Sequence, residues 1–249
     1  MSDATAMIKI KPIKTDKSNI EQPEAVKKGI LPSLPSSYLF VGRSGSGKST
    51  NVANLLTNPD LLGGYFNYIA VFSDVACDDV LRNALKLPNE NYITKFDEKS
   101  IDAFLTKMES NIAEMGLAKA SKEYKICLLF DDILSRQKFL KSNTMRKLIT
   151  ANRHFLVSVV ILSQYLKSIP PVIRQNISGL VFYPSSLMEI EKLSEENAEP
   201  NTSKKEFIKL VQHATSTKHS FLFINRKADN GKRIRKGYDT LISLSSEEK

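Results

Sequence analysis

The sequence predicts an α/β chain built on a largely parallel sheet with helices on both faces. Three observations carry that expectation. Short apolar, β-rich runs alternate with helix-periodic segments from residue 37 onward. Runs such as "KICLLFDD" (125–132) and "LVSVVILSQ" (156–164) are apolar almost throughout, as strands buried on both faces are. A glycine-rich loop joins the first strand to the first well-marked helix. The 249 residues, 41% hydrophobic and 25% charged, have the size and composition of one ordinary domain.

Each element has a local reason. Residues 1–35 carry Lys, Pro and Ser with little periodicity and are expected to form a flexible basic arm, ended by Pro32 and Pro35. Residues 36–249 are expected to be the folded domain. "SYLFVG" (37–42) reads as a buried strand stopped by glycine, and Lys48–Thr57 as a helix closed by Asn58-Pro59. "YIAVFS" (68–73) is the next strand, Asp78–Lys86 a helix, and "NYITKFD" (91–97) a short strand. Lys99–Met115 places Ile101, Phe104, Leu105, Met108 and Ile112 at helical spacing. Strand 125–132, helix Thr144–His154 and strand 156–164 follow. After them come strand "GLVFYP" (179–184) and helices near 186–196 and 203–215. "SFLFIN" (220–225) and "RIRKGYD" (233–239) complete the pattern as a C-terminal antiparallel edge hairpin.

Composition narrows the function classes. Cys77 and Cys127 form no CxxC pair and the histidines do not cluster, which argues against a zinc site or a disulfide scaffold. Cys127 lies inside an apolar run and reads as a buried, inert thiol in a reducing compartment. No apolar run approaches the roughly 20 residues of a membrane span. The opening MSDATAMIKIKPIK lacks the apolar core of a secretory signal. The formal charge of +9 favours an anionic partner.

The loop "GRSGSGKST" supplies the first chemistry. Gly42, Gly45, Gly47, Lys48 and Ser49 fit G-x-x-x-x-G-K-[ST], in the strand–loop–helix context that the pattern needs. Glycines let backbone N–H groups point at an anion, and the helix that follows adds its positive end. Gly42, Arg43, Ser44, Gly45, Ser46, Gly47, Lys48, Ser49 and Thr50 are therefore the expected triphosphate cradle. Lys48 would reach the β- and γ-phosphates and the Ser49 hydroxyl would bind Mg²⁺. "ICLLFDDI" then sets two carboxylates at the tip of a buried strand. Asp131 is the expected partner of Ser49 in the metal shell, and Asp132 the carboxylate that orients or deprotonates an attacking water. Gln164 ends the strand 156–162, where it can touch the γ-phosphate or the water. Together these residues imply ATP and Mg²⁺ as ligands and hydrolysis as the reaction, on a P-loop NTPase three-layer fold.

The succession "GRSGSGKST", "ICLLFDDI" and "NRHFLVSVVILSQYLKSIPPVIRQNISGLVFY" resembles the poxvirus-type DNA-packaging ATPases of large DNA viruses and virophages, within the FtsK–HerA superfamily of DNA pumps. The resemblance covers residues 37–240. It implies a homo-oligomeric ring, pentamer or hexamer, that drives double-stranded DNA without sequence preference into a capsid through a capsid or portal-vertex protein. It further implies a place in the cytoplasmic virus factory or the virion. Gln164 falls on the family's sensor glutamine. Arg153, in "NRH", falls on the arginine that acts across the subunit boundary, with Arg174, in "PPVIRQN", as second choice for that role or as a polar contact near the same interface. One departure is that cellular members carry Asp-Glu where this chain has Asp131-Asp132, which leaves the water activator open.

Arg226, Lys227, Lys232, Arg233, Arg235 and Lys236 surround a turn at Asp229-Asn230-Gly231 and form a candidate DNA-tracking hairpin. Lys9, Lys11, Lys14 and Lys17 form a second candidate patch. His154, His213 and His219 lack metal-ligand spacing and receive no chemistry. Other readings stay open at this level: a P-loop phosphotransferase, a GTPase, a helicase of the same superfamily, or a nucleotide-gated scaffold. "NRKAD" (225–229) misses the guanine-reading Asn-Lys-x-Asp by one inserted residue, Arg226.

Overall fold

In the computed structural model, which describes residues 20–74, 78–198 and 202–242, the apolar runs become strands in chain order. They are β1 (Ser37–Val41), β2 (Tyr68–Ser73), β3 (Tyr92–Ile93), β4 (Ile126–Asp131), β5 (Val157–Ser163), β6 (Gly179–Phe182), β7 (Leu222–Asn225), β8 (Ile234–Lys236) and β9 (Thr240–Leu241). Helices α1 (Glu24–Lys27), α2 (Lys48–Thr57), α3 (Asp79–Leu85), α4 (Glu98–Met115) and α5 (Leu117–Glu123) belong to the first half. The second half holds α6 (Gln137–Leu140), α7 (Asn143–Thr150), α8 (Pro171–Asn176), α9 (Leu187–Asn197) and α10 (Lys204–Ala214).

The strands form one sheet in the order β3-β2-β4-β5-β1-β6-β7-β8-β9. The first six are mutually parallel, and β7, β8 and β9 extend the β6 edge antiparallel. All five residues of β1 and all seven of β5 are buried, so their continuous apolar runs reflect two covered faces. Alternation divides them. Leu39, Val41, Leu128, Phe130, Val159 and Ile161 join Leu105, Leu148, Leu193 and Phe207 on one face. Tyr38, Phe40, Leu129, Val160 and Leu162 join Val52, Leu55 and Leu81 on the other. Burying each such side chain stabilises by about 1.5–3 kcal/mol, before conformational entropy is counted. Cys127 is fully buried in the second cluster, and burial pushes its thiol up to about 12, as an inert core cysteine requires.

Several boundaries differ from the sequence reading. The strand expected over 91–97 shrinks to Tyr92–Ile93, because β3 is an edge strand paired only with Val71 and Phe72. Asp97 instead caps α4, its side chain accepting from Ser100 N at 2.8 Å. The helix expected to reach His154 stops at Thr150, and the chain turns into β5 through Leu156 at φ +56°. The short helices α5, α6 and α8 have too few turns to show a period, and residue patterning missed them.

The boundary drawn at residue 35 falls inside packed chain, which corrects the arm. Ala25, Leu31 and Leu34 are buried in the second cluster, and Gln22 Nε2 donates to Leu34 O at 3.0 Å. A run with three buried apolar side chains is part of the domain, whatever its lysine content. Lys9, Lys11, Lys14 and Lys17, like Cys77, lie outside the described residues.

Candidate functional site

The sheet order decides what meets what. β5 lies between β1, which feeds the glycine loop, and β4, which carries the paired carboxylates. All three strands run parallel, so their carboxyl ends open on the same edge. There a cleft of ≈ 490 Å³ is lined by Ser44, Gly45, Gly47, Lys48, Ser49, Thr50, Asp131, Asp132 and Gln164. That volume lies within the range of about 300–1,000 Å³ usual for small-ligand sites. These nine members of the expected cradle and catalytic set therefore converge, whereas Gly42, Arg43, Ser46, Arg153 and Arg174 do not line the cleft.

The loop is shaped by its glycines. Gly47 has φ +100° and caps α2; a Cβ there would come within 3.3 Å of His219 Nδ1. Gly42 lies against Tyr183, and an added Cβ would sit 2.7 Å from its side chain. The Lys48 ammonium donates to Gly42 O at 2.6 Å and Arg43 O at 3.1 Å, which folds it back along the loop. Burial lowers the Lys48 pKa, while Asp131, Asp132 and Asp78 oppose that shift. Arg43 is exposed, and the Ser46 hydroxyl is buried without a protein partner.

Asp131 closes β4 and is half-buried. Burial pushes its carboxyl up to about 6, and the carboxylates of Asp78 and Asp132 add to the rise against Lys48. A carboxylate crowded by two others beside a serine hydroxyl offers the hard oxygen donors that Mg²⁺ takes, and it lacks a full complement of positive charge. Ser49 and Asp131 therefore offer oxygen donors of the kind a divalent cation takes. Among the described residues no group of three or more His, Cys, Asp or Glu is placed to hold a metal by itself.

Asp132 is exposed and adopts φ +47°, ψ 45°, a left-handed conformation uncommon outside glycine. Asp and Asn tolerate that region best among residues with a side chain. The local backbone thus supplies a reason for Asp, where a longer carboxylate would fit less well.

The two arginines part company. Arg153 is exposed, precedes β5, and makes a 3.5 Å contact to Ser33 Oγ. The seven residues of β5 separate it from Gln164 by roughly 20 Å at about 3.3 Å per residue. Arg174 is 5% exposed, with Nη2 at 2.6 Å from Glu196 Oε1 and Nη1 donating to Ile169 O at 2.5 Å. Its guanidinium is consumed inside one chain, so the role of second-choice finger is corrected to that of an internal ion pair. Arg226 belongs to the same knot, donating to Asn197 Oδ1 at 2.8 Å and to Arg174 O. Burial lowers its pKa to about 10. This removes Arg226 from the candidate DNA hairpin, whose turn is closed by Lys232 N donating to Asp229 O at 3.0 Å. Lys227 and Lys232 remain exposed there.

Sequence reasoning missed two residues of the cleft. Asp78 caps α3, accepting from Val80 N at 2.8 Å, and lines the cleft beside Asp131. His219, at φ +65°, lines it from the segment before β7, with Nδ1 at 3.2 Å from Ser46 O. Neither stands at a spacing from the loop that a linear pattern could reveal.

Comparison with known proteins bears on the family and the fold. The chain is similar to "DNA packaging protein OPG160" of Vaccinia virus (strain Copenhagen), 27% identical over 164 residues. The match takes in 64% of this chain and 57% of that protein, so it spans little more than half of the viral relative. Among solved structures it resembles B204, the DNA-packaging ATPase of Sulfolobus Turreted Icosahedral Virus, with TM-score 0.52 and 16% identity over 81% of this chain and 96% of that one. The B204 genome-packaging NTPase of Sulfolobus turreted icosahedral virus 2, solved with ATP-gammaS, gives TM-score 0.53 and 20% identity over the same shares of each chain. At such identities the likeness shows the fold. The model of the family described as "Poxvirus A32 protein" matches residues 27–242, nearly the whole described chain, and the chain belongs to that family.

Proposed function

We propose that the protein is a Mg²⁺-dependent ATPase that moves double-stranded viral DNA into a capsid as a ring of identical subunits. The observation that carries this reading is the convergence of Lys48, Ser49, Asp131, Asp132 and Gln164 on one cleft of a Poxvirus A32 family chain. The names of the vaccinia relative and of the B204 proteins, all concerned with packaging, support the DNA role.

Each residue then has a task. Backbone N–H groups of the loop and the Lys48 ammonium hold the β- and γ-phosphates. Ser49 and Asp131 would hold Mg²⁺, which when bound neutralises phosphate charge. Asp132 orients the attacking water and accepts its proton, and Gln164 positions that water against the γ-phosphate. Arg153, a β-strand's length from its own cleft, serves the cleft of the next subunit, where its charge stabilises the transition state. Lys227 and Lys232 on the hairpin are candidates for sequence-independent phosphate contacts. The capsid or portal-vertex partner, the virus-factory or virion location and residues 1–19 as a basic arm belong to the same proposal. Among the described residues no helix is long and apolar enough to cross a membrane.

The test is ATP turnover measured against protein concentration, with and without duplex DNA. Turnover per subunit should rise with assembly and rise again with DNA. Full activity in a monomer that ignores DNA would exclude the motor.

A further inference from the structure

A second, larger cavity of ≈ 980 Å³ adjoins the phosphate cleft, and the two share Gly47, Thr50 and His219. We infer that this cavity receives the base of the bound nucleotide, stacked beside Phe221, and that its acceptor-rich rim favours adenine. The inference rests on the nucleotide-binding reading above and names the part of the ligand that the phosphate loop cannot recognise.

The placement follows from direction. Lys48, Ser49, Asp131 and Gln164 claim the triphosphate's outer end, so the ribose and base leave past the first turn of α2. The second cavity begins there, at Gly47 and Thr50. Its floor is fixed by a chain of hydrogen bonds. Tyr238 Oη donates to Asn51 Oδ1 at 2.9 Å, Asn51 Nδ2 donates to Tyr183 Oη at 2.8 Å, and Tyr183 Oη donates to Gly47 O at 3.2 Å. Both ends of the Asn51 amide are thereby used, which leaves this network to support the cavity.

Above the floor stands Phe221. Its ring lies 5.6 Å from that of Tyr183 and 5.1 Å from that of Tyr238, and the residue stays partly exposed at the cavity. Aromatic packing on one side holds the ring still, and its accessible part offers a π surface to a heterocycle. His219 stands where the two cavities meet, exposed, at φ +65° and tied to the loop through Ser46 O. A strained backbone at such a junction is a common mark of a binding site. On the rim, Asn54 donates one Nδ2 hydrogen to Thr50 O at 2.8 Å and keeps its carbonyl oxygen as an acceptor, with a second N–H beside it. Asp60 and Asp239 add carboxylates to the same rim. Acceptors in that number match a base edge carrying an exocyclic amine.

The experiment compares calorimetric binding of three probes in the presence of Mg²⁺: inorganic tripolyphosphate, β,γ-imido-ATP and its inosine counterpart. Two variants of the full chain are used, Phe221→Ala, which removes the stacking ring, and Asn54→Trp, which fills the cavity from the exposed face of α2. Stacking on one aromatic is worth about 1–3 kcal/mol per base, so each variant should weaken β,γ-imido-ATP by roughly tenfold. Tripolyphosphate should bind the folded variants as it binds the wild type. The inosine analogue should bind the wild type more weakly than the adenine one. Equal losses for tripolyphosphate and β,γ-imido-ATP, or no loss in Asn54→Trp, would overturn the base pocket while leaving the phosphate site intact. A wild-type protein that bound none of the three probes would instead remove the nucleotide reading itself.

Discussion

Arg153 and Arg174 stand on either side of β5 in the chain and look alike in the sequence, but the fold treats them in opposite ways. Around Arg153 the surface is open, and its contact to Ser33 Oγ is 3.5 Å long. Around Arg174 every direction is taken: Glu196 binds Nε and Nη2, Ile169 O takes Nη1, and Arg226 donates to the Arg174 carbonyl. The difference teaches that an arginine's type records a charge, while burial decides where the charge is spent. A guanidinium already satisfied at 6% side-chain exposure cannot be lent to a neighbouring subunit without leaving the buried Glu196 only the Lys192 ammonium, at 3.6 Å, for a partner.

The comparison breaks most visibly at Arg153. In assembled protein with DNA, Arg153→Ala should lower turnover by about 10³–10⁵-fold, the worth of an arginine supplied in trans to phosphoryl transfer. Its thermal unfolding should stay unchanged, because little is packed against it. Mixing Arg153→Ala with Asp132→Ala subunits should return part of the activity, since a mixed ring holds some clefts with both residues. Failure at every mixing ratio would return Arg153 to the status of a surface charge.

The converse holds at Arg174. Removing one partner of a buried pair costs about 3–5 kcal/mol, so Arg174→Ala should show a large fall in unfolding midpoint in denaturant titration. Whatever protein remains folded should hydrolyse ATP normally per molecule. If Arg174→Ala were instead stable and inactive, the finger would have to be reassigned. Between these lies Lys48→Ala, which should cut turnover by roughly 10²–10³-fold, as loss of one preorganised electrostatic contact does. Circular dichroism should show its fold intact, since Lys48 bonds only to carbonyls of its own loop.

These contrasts also mark what was legible in the sequence. β1, α2, β4 and β5 were readable to within a residue or two, because strands buried on both faces demand unbroken apolar runs and a phosphate loop demands its glycines. Asp131 and Gln164 line the cleft, and their positions follow from the sequence because both terminate such runs. The Arg174–Glu196–Arg226 knot was not, because its members lie 22 and 30 residues from Glu196 and follow no period. The arm was misjudged at 20–35 for a related reason. Isolated Leu31 and Leu34 among prolines and lysines show no pattern, but they pack once Tyr38 and Val52 have built a surface for them. Asn51, Tyr183 and Tyr238 meet only through the sheet order, so the second cavity had no linear signature.

The smallest shift in stability is expected at Asp132, and it is the most discriminating for the chemistry. The residue sits at φ +47°, where Asn is tolerated as well as Asp. Asp132→Asn should therefore change stability by less than about 0.5 kcal/mol, within the range of ordinary exposed substitutions. It removes the charge that accepts the water's proton, so turnover should fall although the backbone is undisturbed. Asp132→Glu restores a carboxylate but places a less tolerant residue in the left-handed region, at a cost of about 1 kcal/mol. Its turnover should lie between those of Asp132→Asn and the wild type, with the reacting oxygen displaced by one methylene. The informative failure would be an Asp132→Asn protein with full turnover. In that case the proton goes to another carboxylate of the cleft, and Asp78, which lines it beside Asp131, becomes the residue to replace next.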